Sequence, residues 1–419
     1  MYFFIIAFYN KVIEVKNMEE YIKRGTLDFR KANLALFAGA FSTYANLYMT
    51  QPVMPTLTKF FHISPAAASL SLSFTTASLA ICMLIVGSLS EAWGRKPIMT
   101  FSMIAVAILT FLIAFSPNYH VLLILRVVQG AVFAGLPAIA MAYLGEEIDP
   151  KSLGAAMGLY ISGNSIGGLA GRIVMGSVSD YSNWRVGMIV IGIISLLLAI
   201  AFYFLLPKSR HFEPDKLALK PLFQSLLMHL KDPALLSLFG VGFLLMGSFV
   251  TMYNYIGFQL IEPPYSLSQT IVGWIFLIYL VGTFSSAWMG SLADHHGRYK
   301  ILLSGIGLML AGALLSLTDN LFIKIAGIAI LTFGFFGAHS IASGWVGKRA
   351  THEKAQASSL YLFFYYVGSS VGGTTGGLFW SKFGWSGVVG IVLVFLIAAS
   401  ILAFAIHKIT VRQSLNANQ

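Results

Sequence analysis

The chain has 419 residues, of which 57% are hydrophobic and only 10% charged. A soluble domain carries roughly 25% charged residues, so the composition excludes a soluble fold and points to a polytopic membrane protein. The formal charge of +11 does not indicate a nucleic-acid partner, because the basic residues gather at the ends of apolar runs.

Residues 1–32 read as an N-terminal tail. Its apolar opening, MYFFIIAFYNKVIEVKNMEEY, is too short to span and has no basic region before it. Met18 begins a more ordinary tail, and residues 1–17 are assigned no function. A spanning helix needs about 20 apolar residues. Six such runs, at 33–57, 67–89, 98–116, 119–143, 153–178 and 186–206, predict an N-terminal bundle over 33–206. The single cysteine, Cys82, lies in the second run as a small buried hydrophobe, so no disulfide within a monomer, metal site or cofactor is expected. Residues 207–233, with PKSRHFEPDKLALKP, read as a polar linker. Six further runs, at 234–258, 267–289, 300–318, 321–346, 355–379 and 386–407, predict a C-terminal bundle over 234–407, and 408–419 form a tail. Lone strands cannot satisfy their backbone in lipid, so the expected fold is all-α, with 12 transmembrane helices in two six-helix bundles.

Of the 27 Lys and Arg, four lie in outer loops (Lys59, Arg185, Lys324 and Lys382), two lie within spans, and the other 21 lie on the side of the termini. This asymmetry predicts that both termini are cytoplasmic.

The two halves repeat. GAFSTYANLYMTQPVMP from Gly39 and GSFVTMYNYIGFQLIEP from Gly247 align at an offset of 208, which pairs Asn46 with Asn254 and Gln51 with Gln259. GSLSEAWGRKP from Gly87 and GSLADHHGRYK from Gly290 align at 203, and GLYISGNSIGGLAGR and SLYLFFYYVGSSVGG at 205. Six spans return the chain to its starting side, so the halves relate by an axis along the membrane normal, an arrangement suited to rocking around a central site. In the repeated loops, Gly94 and Gly297 permit tight turns. Glu91 and Asp294 are expected to cap a helix or pair with a nearby Arg. With Gly87, Arg95, Lys96, Gly290 and Arg298 they form the candidate gate.

These loops resemble the major facilitator superfamily, over roughly residues 30–407. Its motif Gly-x-Leu-x-Asp-x-x-Gly-Arg-Lys/Arg matches 87–96 with Glu91 for Asp, and again 290–300 with Tyr299 at a commonly basic position. Arg126, Gln129 and Gly130 match its Arg-x-x-Gln-Gly in the fourth span. The chain is most similar to the YnfM-type inner-membrane permeases, near the proton-driven drug and metabolite antiporters. That resemblance implies alternating access, a multi-pass place in a bacterial inner membrane and a part for Arg126 in proton coupling. The antiporters' Gly-x-x-x-Gly-Pro-x-x-Gly-Gly is incomplete in GNSIGGLAGR, where Gly168 replaces Pro and Arg172 the last Gly. The glycines Gly163, Gly167 and Gly171, and likewise Gly368, Gly372 and Gly376, still suit close helix packing.

A charge in the membrane asks for a reason. Arg126 and Arg172 are expected at similar depth, about 10 Å in from the outer side. For Arg172, snorkelling to the surface is the alternative to a coupling role. All 16 acidic residues fall in tails, loops or span ends, so a buried carboxylate carrier is not evident. His339, the mid-span histidine, suits either proton carriage or a structural hydrogen bond. The His295–His296 pair has no further ligands for a metal. A positive cavity would favour neutral, amphipathic or anionic cargo. Its expected walls are Tyr44, Asn46, Tyr48 and Gln51 from the first span, Tyr253, Asn254 and Gln259 from the seventh, and Tyr365 and Tyr366 from the eleventh.

The sequence therefore supports a monomeric, proton-coupled exporter of small organic molecules. A proton-independent facilitator or importer of a metabolite is the alternative. An enzyme is disfavoured, because no clustered catalytic set appears, and the lack of a P-loop argues against ATP as the energy source.

Overall fold

The computed structural model describes residues 21–212, 214 and 219–417. The expectations for residues 1–20 lie outside them. The chain is helical, and the caps explain where helices begin. Thr26, Ser64, Asn118, Asp149, Asn183, Asp232, Ser268 and Asn320 each accept a backbone N–H in the first turn of the helix that follows. After Ser64, Asp149 and Asp232 comes a proline at the first helical position, where its missing N–H does no harm.

The first crossing is α1 (Leu27–Tyr48), a 3-10 turn at Gln51–Val53 and α2 (Met54–Phe61), broken where Pro52 and Pro55 interrupt the ladder. Then follow α3 (Pro65–Trp93) and α4 (Arg95–Ala114). The fourth crossing is divided into α5 (Tyr119–Phe133) and α6 (Pro137–Glu147) before Pro137. Helices α7 (Pro150–Tyr181) and α8 (Trp184–Leu205) complete the N-terminal bundle. The linker is not merely polar: it contains α9 (Leu219–Leu230), which packs on the C-terminal bundle with Leu226 and His229 buried. That bundle comprises α10 (Pro233–Ile261), the eighth crossing as α11 (Gln269–Ile275), a 3-10 turn and α12 (Tyr279–His296), then α13 (Arg298–Leu315) and α14 (Leu321–Arg349). The final stretch, Lys354–Ala417, breaks at Gly384 (φ 58°) into the eleventh and twelfth crossings.

Nine helical stretches among the described residues are long and apolar enough on their own to cross a membrane. The break at Gly384 divides the last of these in two. The crossings built on α1 and α7 complete the twelve. These two carry Asn33, Asn46 and Arg172, whose polarity is spent inside the protein rather than in lipid.

The two bundles share one packing plan. Cβ atoms added at Gly163, Gly167 and Gly171 of α7 would collide with Phe37, Phe41 and Ala45 of α1. In the other half, Gly368, Gly372 and Gly376 stand against Phe243, Gly247 and Thr251 of α10 in the same way. The small residues therefore let the backbones touch, as expected. The contacts also correct the register of the repeat. Phe41 corresponds to Gly247 and Ala45 to Thr251, an offset of 206 rather than 208. Two residues turn a helix by about 200°. Asn254 therefore takes the place of Tyr48, and Asn46 that of Met252.

Hydrogen bonds between the bundles lie at mid-depth or at the end away from the repeated loops. Ser370 donates to the Ser73 carbonyl (2.7 Å) and meets the Thr76 hydroxyl (2.8 Å). Thr270 Oγ1 donates to Asp180 (2.7 Å), and Gln269 bonds Thr56. Gly176 and Gly273 let α7 and α11 meet there at backbone distance. The molecule is thus sealed at the end away from the repeated loops.

Candidate functional site

A cavity of about 130 Å³ lies between the bundles. The N-terminal bundle supplies Tyr44 and Tyr48 from α1 and Asn164 and Arg172 from α7; the C-terminal bundle supplies Phe249, Tyr279, Phe335 and Tyr365. Three expected wall residues, Tyr44, Tyr48 and Tyr365, line it directly. Tyr366 stands just behind, its hydroxyl 3.4 Å from that of Tyr44.

Arg172 is the centre of the site. It lies nine residues before the end of α7 at Tyr181, deeper than expected, and is 1% exposed, so it does not snorkel. Its Nε donates to Gln51 Oε1 (2.7 Å), Nη1 to the Gly168 carbonyl (2.7 Å) and Nη2 to the Tyr279 hydroxyl (3.4 Å). The guanidinium lies over three rings: Tyr48 at 4.2 Å, Phe276 at 4.7 Å and Tyr279 at 4.8 Å. Gln51 passes its amide on to Asn254 Oδ1 at 2.8 Å. Groups from both bundles thus hold one cation, and all of them are neutral. Gly168 and Arg172, the two departures from the antiporter pattern, are themselves hydrogen-bonded to each other.

Arg126 belongs elsewhere. It is fully buried and donates to the carbonyls of Ser71 (2.8 Å), Asn46 (3.1 Å) and Leu47 (2.8 Å) and to Gln129 Oε1 (2.6 Å). It ties α1, α3 and α5 together inside the N-terminal bundle. Asn46 joins that knot, donating to Ser195 Oγ (2.6 Å) and accepting from Thr110 Oγ1 (2.6 Å). The expected wall position for Asn46 is therefore incorrect, and the two-residue shift of register is the reason. Tyr253 is likewise internal, its hydroxyl 2.7 Å from Thr332 Oγ1. Gln259 does not line the cavity and has no hydrogen-bond partner among the described residues.

His339 stands behind the wall. Its Nδ1 is 2.9 Å from the Tyr361 hydroxyl, and its ring lies 4.6 Å from that of Tyr365. Sequence reasoning missed Tyr279, Phe276, Phe249 and Phe335, because an aromatic in an apolar run looks the same whether it meets lipid or a cavity. The stacked pair Phe249 and Phe335, 3.9 Å apart, lies on two helices far apart in sequence.

At the repeated loops, Gly94 (φ 93°) and Gly297 (φ 89°) join successive helices at a positive φ that favours glycine. Gly87 and Gly290 have room around them. The ion pair of the first loop differs from expectation. Arg95 pairs in a fork with Glu146 (2.7 and 3.2 Å) and also bonds Ser90. Glu91 is exposed and has no partner among the described residues. Lys96 bonds the Leu206 carbonyl. In the second copy Asp294 meets Arg298 and Lys348, both at 3.4 Å and well exposed. Both clamps therefore close within a bundle. No group of three or more His, Cys, Asp or Glu fit for a metal occurs among the described residues.

Comparison with known proteins agrees with the fold. The sequence pattern of the Major Facilitator Superfamily matches residues 36–261 and 244–419. The chain is 57% identical over 379 residues to the MFS-type transporter YybF of Bacillus subtilis (strain 168), covering 90% of this chain and 94% of that one. It is 45% identical over 394 residues to the inner membrane transport protein YnfM of Escherichia coli (strain K12), covering 94% of each. Among solved structures it is similar, at 16% identity, to an inward-facing, unoccupied bacterial homolog of the human lysosomal transporter Spinster, with TM-score 0.76 and coverage of 91% and 97%. It is also similar to the nucleoside transporter NupG, with TM-score 0.71, 16% identity and coverage of 91% and 99%.

Proposed function

The chain belongs to the major facilitator superfamily, a multi-pass inner-membrane transporter, and we propose that it exports small organic molecules by alternating access coupled to protons. The observation that carries this reading is the cavity itself. Its walls come from both bundles, and the seam beside it is closed at one end. Rocking of the bundles would break the Asp180–Thr270 and Thr56–Gln269 contacts and expose the same walls to the other side. The positive-inside asymmetry supports cytoplasmic termini, which makes the sealed end the outer one. The protein works as a monomer in this reading, since one chain supplies the whole cavity.

His339 is the candidate proton carrier, held by Tyr361 and one ring away from the cavity wall. Arg126, held by four neutral acceptors, serves the bundle rather than the proton. One observation favours the second reading, a proton-independent facilitator or importer: no Asp or Glu among the described residues lines the cavity. Purified protein in liposomes with an imposed pH gradient and a compound panel separates the two. Proton flux that depends on substrate supports the first; substrate flux without proton movement supports the second.

A further inference from the structure

We propose that the cargo is a small organic monoanion, a carboxylate on a compact apolar body, whose charged end binds Arg172. This rests on the cavity being the cargo site, as read above.

Four observations converge. First, among the described residues Arg172 is the one cation lining the cavity, and no acid lines it. Its nearest acid along α7, Asp180, is engaged at the rim by Thr270. A single uncompensated positive charge calls for a single negative one. Second, the guanidinium is not saturated. It has five N–H donors, and its partners are Gln51, Gly168 and a long contact to Tyr279. Arg126, by contrast, meets four acceptors at 2.6–3.1 Å and does not line this cavity. The distinction matters because both arginines look alike in sequence.

Third, tyrosines share the cavity with it. The Tyr48 ring lies against the guanidinium, Tyr365 is another residue of the wall, and neither hydroxyl has a hydrogen-bond partner among the described residues. Tyr279 accepts from Arg172, so its own proton is free to be donated. A carboxylate between these groups would gain charge-assisted hydrogen bonds from both bundles at once. Fourth, most of the remaining wall is apolar, with Phe249, Phe335 and Phe336 contributed by the C-terminal bundle. The cavity is smaller than the 300 Å³ or so at which drug-sized pockets begin. The body attached to the carboxylate is therefore about one ring in size.

Binding decides the matter without requiring transport. The full chain in detergent is titrated calorimetrically with benzoate, benzamide and benzylammonium, three compounds of similar shape and different charge. Benzoate is expected to bind at least about tenfold more tightly than benzamide, as for a charge-assisted hydrogen bond, and benzylammonium to bind least. Arg172→Gln should abolish that preference. Arg172→Lys should keep the order with weaker affinity, and Tyr365→Phe should weaken benzoate alone. The last two variants decide if Arg172→Gln does not fold. The proposal is overturned if benzoate does not bind, if either analogue binds as tightly, or if the benzoate preference survives Arg172→Gln. Flux of neutral compounds with no benzoate binding would sink this proposal and leave the transporter reading standing. Benzoate binding without flux would leave Arg172 as an anion site and overturn its reading as the cargo site.

Discussion

Nε of Arg172 donates to Oε1 of Gln51 at 2.7 Å, and the same glutamine donates across the seam to Asn254. The orientation of the cavity cation is therefore set by a side chain of its own bundle that is tethered to the other. Replacing Gln51 with Leu leaves two buried polar groups unmade, at about 1–3 kcal/mol each. Melting of the purified protein should fall accordingly, and transport with it. Gln51→Glu should behave differently: the new carboxylate neutralises Arg172 and can accept from Asn254 Nδ2, which has no other partner, once that amide turns, so stability holds while any preference for anions disappears.

Asn46 and Asn254 should separate by phenotype. Asn46→Leu breaks the knot around Arg126, Thr110 and Ser195, and Arg126→Met removes its centre. Both should destabilise the N-terminal bundle, Arg126→Met by about 3 kcal/mol or more because several buried carbonyls lose their donor. Any protein that still folds should keep its substrate profile. Asn254→Leu should instead change transport with a smaller loss of thermal stability. Paired melting curves and vesicle flux check the contrast. Equal selectivity changes from both asparagines would contradict the assigned register.

Gly167 and Gly372 each face a backbone on the neighbouring crossing, with no room for a methyl group. Alanine at either forces α7 from α1, or the eleventh crossing from α10. Overpacking of this kind costs about 1–3 kcal/mol or more. Gly158, also on α7, has nothing within 4 Å; alanine there should be neutral or stabilising by up to about 1 kcal/mol. Detergent melting temperatures of the three variants test the ranking.

Thr270→Val removes the hydroxyl that donates to Asp180 at the sealed end. Loss of one such bond, about 1 kcal/mol, shifts a two-state equilibrium roughly fivefold. The shift should favour the state open at that end. In a Cys82→Ser background, a cysteine at Ser179 should then react faster with an impermeant thiol reagent. An unchanged rate would mean that the contact does not hold the seam.

The sequence by itself determined the class, the twelve crossings and the duplication, because these rest on signals that survive in one dimension. Apolar runs of spanning length, basic residues on one side and glycines every fourth position each have a single physical solution in a bilayer. It also marked Arg172 and Tyr48 as candidates, the arginine because charge within a span is rare. Only the tertiary structure decided which polar groups face the cavity. A helix presents a different face with every residue, so a repeat misaligned by two positions put Asn46 on the wall and hid it in fact among Arg126, Thr110 and Ser195. The same limit kept Tyr279 and Phe276 out of view, because what makes them functional is the guanidinium of a helix more than a hundred residues away.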